Sequence, residues 1–332
     1  MGEIKTNDGK VALASCCHVY ANQYTQVSDA DLTKWSARTA LISLRPSGMK
    51  GRERVLTSKM LWYTKTLATQ SGAFPEKTYA HTLAGKRKGD PNWGVWILDP
   101  WGEWKTIHLK EIQNGGFPTA DGAFNDSAGD FSYTQGGKPY RPPGYSSLIP
   151  VTEWRQGIAD LLKYWIDNGN QQVHCINGLN ANSMKIYPPQ IGMLENAFGS
   201  NQLGLPSATV WHKNARTICD AQGMGWTPWI FCKMRSKDPA VWTRWRNYMT
   251  ATTLLLDRGS LLFELGGMEG TTPPYASKEW TNAAYSPKLG PSMETAADYM
   301  TYRQADGTFM RKFQNGRVIV DPVRQTSRVA IP

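Results

Sequence analysis

Eight short apolar runs, separated by segments of helical character, constrain the fold of this 332-residue chain more than any other feature. Runs this short that are hydrophobic almost throughout are typical of parallel strands buried on both faces. They lie at residues 11–20, 40–44, 55–63, 122–125, 173–177, 191–198, 225–232 and 260–265. Strands that alternate with helices predict an α/β protein, and eight such strands predict a (β/α)₈ TIM-type barrel.

Helix signals fill several of the segments between these runs. Residues 154–168 carry their apolar side chains on one face of a helix, and Gly169 follows where a helix commonly ends. Asp238 and Pro239 predict the start of another helix, because proline is favoured in the first turn. A last helix is predicted over residues 293–303. The helices therefore fall where a barrel needs its outer layer.

Two long segments, residues 74–111 and 128–150, interrupt this alternation and are rich in glycine and aromatic residues. Each of them follows a predicted strand, so on a barrel each would be a loop over the carboxyl ends of the strands. Decoration of the surface away from any site would explain them as well.

The C-terminal residues have a different pattern. Asn315 and Gly316 separate two arms of alternating polarity, which is the strongest short-range signal of a β-hairpin. We therefore predict a barrel over residues 1–304 and a small β appendage over residues 305–332 that packs on the barrel.

Composition and charge limit the classes of function. With 40% hydrophobic residues and no apolar stretch that could span a bilayer, we expect a globular protein without a membrane span. The net charge of +10 is spread along the chain, which fits a solvated surface or an acidic or cell-envelope glycan better than specific nucleic-acid binding. The first ten residues make a poor secretory signal, and a virion or extracellular location is favoured over the cytoplasm.

Motifs for nucleotide, serine-hydrolase and zinc chemistry are missing from the sequence. It contains no GxGxxG or P-loop pattern and no GxSxG elbow, and its five histidines lack paired-ligand spacing. Four of the five cysteines lie inside apolar runs, so we interpret them as buried reduced thiols and not as a disulfide framework, and the lack of a CxxC pair argues against zinc. We predict neither a metal nor a cofactor.

Two carboxylates stand at the ends of predicted strands. Cleavage of a glycosidic bond needs two carboxyl groups on either side of the scissile oxygen, and in a barrel such groups stand at the carboxyl ends of strands. Asp126 follows the fourth run and Glu195 lies in the sixth. We interpret Glu195 as the general acid/base and Asp126 as the nucleophile or the base that activates water. A helix-capping Asp126 and a structural ion pair at Glu195 are the alternatives.

Sugar binding requires flat aromatic faces and polar groups for the hydroxyls. Fourteen tryptophans give a large supply of such faces, although a single tryptophan is more often part of a core. Polar and charged residues at other strand ends supply the second requirement. The predicted substrate-binding residues are Arg45, Trp93, Asp99, Asn177, Asn180, Trp229, Lys233 and Glu264.

Several segments of the chain resemble a known family. They lie at residues 67–76, 79–81, 91–94, 98–100, 121–126, 193–196 and 311–322. These segments resemble the glycoside-hydrolase-like barrels that are related to the polygalactosaminidase-type enzymes, and the resemblance spans nearly the whole chain. It implies a (β/α)₈ barrel that acts on a polysaccharide, with catalytic candidates that map onto Asp126 and Glu195.

Barrels of this kind are also similar to modules in the tail proteins of phages that infect actinobacteria. That similarity implies an alternative function, a minor tail or tail-tip protein with a structural or receptor-binding role and with other virion tail proteins as partners. Because a barrel can persist after catalysis is lost, the enzyme and the virion module both stay open at this point.

Overall fold

A computed structural model gives the fold of the chain. It describes residues 11–15, 28–37, 39–44, 58–91, 94–115, 120–126, 128, 138, 148–169, 173–187, 190–198, 204–234, 238–267 and 283–331. The strands in these residues are β1 (Ala12–Ser15), β2 (Thr39–Leu44), β3 (Lys59–Lys65), β4 (Ala68–Thr69), β5 (Gly89–Asp90), β6 (Val95–Ile97), β7 (Gly122–Asp126), β8 (Val173–Asn177), β9 (Ile191–Glu195), β10 (Thr227–Met234), β11 (Leu262–Gly267), β12 (Phe309–Phe313), β13 (Gly316–Asp321) and β14 (Thr326–Ala330). The α-helices are α1 (Asp29–Ser36), α2 (Trp104–Gly115), α3 (Val151–Asn168), α4 (Ser183–Ile186), α5 (Ala208–Gly223) and α6 (Pro239–Leu256).

Eight of the strands close into a barrel in the order β1-β11-β10-β9-β8-β7-β3-β2. Each of the eight predicted apolar runs overlaps one of these strands, so the prediction of a (β/α)₈ TIM-type barrel is confirmed. Gly122 allows β7 to approach β8 closely, because a Cβ at this position would lie 1.8 Å from the carbonyl oxygen of Val173.

Residues 60–190 form one compact unit of the chain. In this unit α3 begins one turn earlier than predicted and ends at Gly169 as predicted, and its apolar face is buried. The buried residues of that face are Trp154, Gly157, Ile158, Ala159, Leu161, Leu162 and Trp165.

The segment predicted as a loop over residues 74–111 contains regular structure. The short strands β4, β5 and β6 form a small antiparallel sheet in the order β4-β6-β5, and α2 begins at Trp104. Gly94 lies in the turn between β5 and β6 with a φ of 58°, a conformation that favours glycine. Strands of two or three residues are too short to produce a periodic signal. Most of the second predicted loop, residues 128–150, lies outside the described residues.

Residues 1–59 and 191–332 form the second compact unit. As predicted, α6 begins at Pro239, and the carboxylate of Asp238 caps it by accepting the N–H of Ala240 at 2.8 Å. Ser207 caps α5 in the same way through the N–H of Val210. Within the described residues, no helix has the length and apolar character needed to cross a membrane.

The predicted C-terminal hairpin is present, with Asn315 in the turn between β12 and β13. A third strand, β14, extends it into an antiparallel sheet in the order β12-β13-β14. The helix predicted over residues 293–303 is wrong, because only residues 299–302 are helical and they form a 3₁₀ turn. The division into a barrel over residues 1–304 and an appendage over residues 305–332 stays a prediction.

One buried charge ties this sheet to the preceding helix. The side chain of Arg311 in β12 is fully buried, and its guanidinium donates to the carbonyl oxygens of Leu254, Leu255 and Asp257 at the end of α6. These carbonyls have no partner within the helix, so Arg311 satisfies the helix end. The contact fixes β12 against α6.

Candidate functional site

Asp126 is the last residue of β7, and donors from two neighbouring strands hold its side chain. The hydroxyl of Tyr63 in β3 donates to Oδ2 at 2.7 Å, and the side-chain amide of Asn177 in β8 donates to Oδ1 at 2.8 Å. Because both oxygens accept a hydrogen bond, the carboxyl group is held in a fixed orientation. The side chain is only half-buried, so a ligand can still reach it.

Strand periodicity explains why these groups meet on the inner face of the barrel. Alternate side chains of a strand point to opposite faces. Trp62 stacks on the ring of His108 in α2, and the hydroxyl of Thr64 bonds the same ring at 2.9 Å, so these two residues face the helix. Tyr63 lies between them and points to the barrel interior, and the Asp126 carboxylate bonded to it shares that face.

The opposite face of β7 and β8 carries a second polar pair. The amide nitrogen of Asn125 lies 3.3 Å from Nδ1 of His174 and also donates to the carbonyl oxygen of Cys175 at 3.2 Å. Since the amide donates, Nδ1 is the acceptor and the imidazole proton is on Nε2. That nitrogen is buried with no hydrogen-bond partner among the described residues. Burial lowers the pKa of His174 to about 4, so the ring is neutral at pH 7.

Glu195 is the exposed last residue of β9. The pairing register places Glu195 beside Phe231, and Phe231 beside Glu264, so the three side chains share one face of β9, β10 and β11. Neighbouring strands lie about 4.8 Å apart, which separates the backbones of Glu195 and Glu264 by about 10 Å. Glu264 is fully buried. Glu195 is therefore the more accessible carboxyl group of the two.

The backbone directly after Glu195 takes an uncommon conformation. Asn196 and Phe198 both have a φ of 57°. Asparagine tolerates this region, but a bulky residue there costs about 1–3 kcal/mol and needs surrounding structure to hold it. The buried ring of Phe198 packs against Trp211 of α5, which supplies that support. Backbone strain of this kind occurs most often at functional sites.

Two predicted binding residues organise local turns. The side-chain oxygen of Asn180 accepts the N–H groups of Asn182 and Ser183 at 2.8 and 3.0 Å and so shapes the start of α4. The carboxylate of Asp99 is mostly buried and accepts the N–H of Trp101 at 2.9 Å. These contacts account for both side chains as parts of the local structure, whereas Asn177 joins Asp126.

Four further predicted binding residues are either buried, described by their backbone alone, or outside the described residues. Trp229 in β10 is fully buried, which corrects the expectation that it offers a stacking face to a sugar. An apolar strand of the barrel places alternate side chains in the core, and Trp229 is one of them. Lys233 also lies in β10, where only its backbone is described. Arg45 and Trp93 lie outside the described residues.

Tyr63 belongs to the site but is not among the predicted residues. It ends the third predicted run, just as Asn177 ends the fifth and Asp126 follows the fourth. The same rule that selected Asp126, a polar group at the end of an apolar strand, would have selected Tyr63 if its hydroxyl had been weighed above its ring.

Among the described residues, the structure offers neither a reactive thiol nor a group of three metal ligands. Cys175 and Cys232 are free and buried. Burial raises the pKa of both thiols, and the negative charges of Asp126 and Glu264 act in the same direction. Both thiols therefore stay protonated and are poor nucleophiles. In the part of the chain that the structure describes, no three His, Cys, Asp or Glu side chains are grouped as metal ligands.

No protein-family model and no curated protein matches the sequence. Among solved structures, the cycloalternan-forming enzyme from Listeria monocytogenes, solved with a pentasaccharide substrate, is similar with a TM-score of 0.54 and 9% identity over 96% of this chain and 37% of that chain. The glycoside hydrolase domain of PelA from Pseudomonas aeruginosa has a TM-score of 0.48 and 12% identity over 79% of this chain and 95% of that chain. Ega3 from Aspergillus fumigatus, solved with galactosamine, has a TM-score of 0.35 and 13% identity over 68% of this chain and 92% of that chain. At 9% identity, the likeness to the cycloalternan-forming enzyme shows the barrel fold alone.

Proposed function

We propose that this chain binds a cell-envelope or extracellular polysaccharide and cleaves its glycosidic bonds, with Asp126 and Glu195 as the paired carboxyl groups. The observation that carries the proposal is the Asp126 carboxylate, which Tyr63 and Asn177 hold on both sides at the carboxyl end of β7. Active sites of enzymes with a (β/α)₈ barrel lie at the carboxyl ends of the strands.

The surroundings of each carboxyl group support a division of roles. Asp126 has both oxygens bonded as acceptors, which favours a nucleophile or a base held in position before the substrate binds. Glu195 is exposed at the end of its strand, where a general acid/base can exchange protons with substrate and water. In the first step Glu195 protonates the glycosidic oxygen, while Asp126 attacks the anomeric carbon or activates the water that attacks it.

Two further observations support a glycan as the substrate. The net charge of +10 favours acidic or cell-envelope glycans through long-range attraction. The barrel fold is shared with an enzyme that was solved with a pentasaccharide substrate, which is support by analogy of fold only. The tail-protein alternative, its virion partners and a location outside the cell stay predictions from the resemblance.

The test is the release of reducing ends from a panel of bacterial and plant polysaccharides. Glu195→Gln and Asp126→Asn should each lower the rate by about 10²–10⁴-fold. Glu153→Gln and Asp160→Asn, on the exposed surface of α3, are matched controls and should keep full activity. Inactivity of the unmodified protein on every glycan, or full activity of Glu195→Gln, would overturn the proposal.

A further inference from the structure

Trp96 has the most exposed of the described tryptophan side chains, with 38% of its surface open to solvent. It lies in β6, the middle strand of the small sheet, and its cross-strand neighbours are Thr69 in β4 and Gly89 in β5. A Cβ on Gly89 would come within 3.4 Å of two carbons of the indole ring. The ring therefore rests on the glycine backbone, and part of the side chain is open to solvent.

A fixed pair of charged side chains lies on the same face of this sheet. Arg87 precedes Gly89 by two residues, so the two share a face. Its guanidinium donates to Glu76 at 2.6 and 2.9 Å and to the carbonyl oxygen of Gly72 at 3.1 Å, and it stacks on the ring of Tyr79 at 3.9 Å. These contacts hold the polar groups in place in the absence of a ligand.

The chain connects this face to the Asp126 site within the same compact unit. Thr66 directly follows β3 and donates its N–H to the carbonyl oxygen of Asp126 at 2.8 Å. Three residues later, Thr69 pairs with Trp96. An extended chain spans about 3.3 Å per residue and paired strands lie about 4.8 Å apart, which places the backbone of Trp96 within about 18 Å of the main chain of Asp126.

We infer that the Trp96 surface, formed by Trp96, Gly89 and the Glu76–Arg87 pair, is a subsite for a neutral pyranose unit of the polysaccharide, remote from the bond that is cleaved. This inference rests on the proposed function. An open indole face suits the C–H side of a pyranose ring, and fixed polar groups beside it suit the hydroxyls. The charges of Glu76 and Arg87 cancel, whereas single-stranded nucleic acid needs a basic groove beside its stacking rings.

Kinetics with a long and a short substrate test the subsite. Trp96→Ala should raise KM for a cleaved polysaccharide by about 3–10-fold with kcat unchanged, because a contact remote from the cleaved bond binds the substrate and the transition state equally. On the shortest oligosaccharide that is cleaved, Trp96→Ala should match the unmodified protein, and Trp96→Phe should restore part of the affinity for the polymer. Leu83→Ala removes another exposed apolar side chain of the same unit and should change neither constant. An unchanged KM in Trp96→Ala, or an equal change in Leu83→Ala, overturns the inference and leaves the proposed function standing.

A binding assay separates the two proposals. The unmodified protein and Trp96→Ala are incubated with insoluble cellulose, chitin and isolated bacterial cell walls, and the protein left in solution is measured. Binding that Trp96→Ala weakens supports the subsite even where the assignment of Asp126 and Glu195 fails. Binding to none of these materials, or Trp96-dependent binding to a poly(dT) oligonucleotide in their place, overturns it.

Discussion

The two faces of β7 and β8 carry polar side chains that are built in opposite ways. On the inner face, the Asp126 carboxylate accepts hydrogen bonds from Tyr63 and Asn177 and stays half-buried. On the outer face, Asn125 and His174 are buried against each other, and Nε2 of His174 has no partner among the described residues. A buried donor without a partner costs about 1–3 kcal/mol. The comparison teaches that the inner face keeps its polar groups matched and partly exposed, whereas the outer face buries a polar atom that has no partner among the described residues.

The largest effect should come from the inner face. Asp126→Asn should lower kcat by about 10²–10⁴-fold, because an amide can act neither as nucleophile nor as base. Stability should change little, since the new amide oxygen still accepts from Asn177 and its nitrogen can donate to a rotated Tyr63 hydroxyl. Initial rates and thermal unfolding midpoints measure the two quantities. A large fall of the midpoint with the loss of activity would instead indicate a structural carboxylate.

Part of the inner face could be predicted from the apolar runs of the sequence, whereas the part that depends on strand pairing could not. Asp126 and Asn177 stand at the ends of recognisable apolar runs, and the runs became strands with nearly the predicted bounds. The bond from Tyr63 depends on β3 lying beside β7, although the small sheet and α2 separate them along the chain. Apolar periodicity predicts strands but does not predict which strands pair across such an insertion.

The exposure of the tryptophan side chains could not be predicted from the sequence either. Trp229 and Trp96 both lie in strands, yet Trp229 is fully buried and Trp96 is open. Trp229 pairs with Met193 and Leu262 in the barrel, whereas Trp96 pairs with Thr69 and Gly89 in the small sheet. The helix predicted over residues 293–303 failed for a similar reason, because Ser292 bridges to Phe313 and the N–H of Met293 donates to the carbonyl oxygen of Lys312 at 3.1 Å, a pairing with β12 that local sequence does not encode.

Because of His174 on the outer face, the free energy of unfolding should decrease as the pH is lowered. Burial lowers the pKa of His174 to about 4 from 6.5, so the unfolded chain binds a proton at a pH where the folded protein does not. Stability from this group is therefore full above pH 6.5 and is lost as the pH falls toward 4. Between about pH 7.5 and about pH 5 the loss should be about 2 kcal/mol in the free energy of unfolding.

Urea unfolding at the two pH values measures this loss. His174→Leu should remove most of the pH dependence, since leucine does not titrate. His212→Asn is the matched control, because burial and the charge of Arg303 also lower the pKa of His212 and add a smaller loss of the same sign. Equal pH dependence in His174→Leu and the unmodified protein would show that the outer face does not control acid stability.

The smallest effect should come from removing one donor of the inner face. Tyr63→Phe deletes the hydroxyl that lies 2.7 Å from Asp126 Oδ2, and a hydrogen bond to a charged group contributes about 1.5–3 kcal/mol at most. We expect kcat/KM to fall about tenfold, since the Asp126 carboxylate is then held by Asn177 alone of the two donors described here. Tyr164→Phe on α3 is the matched control and should leave kcat/KM unchanged. A loss as large as that of Asp126→Asn would mean that the hydroxyl of Tyr63 takes part in the reaction itself. The inner face of these strands would then contribute two reacting groups, not one reacting group and its support.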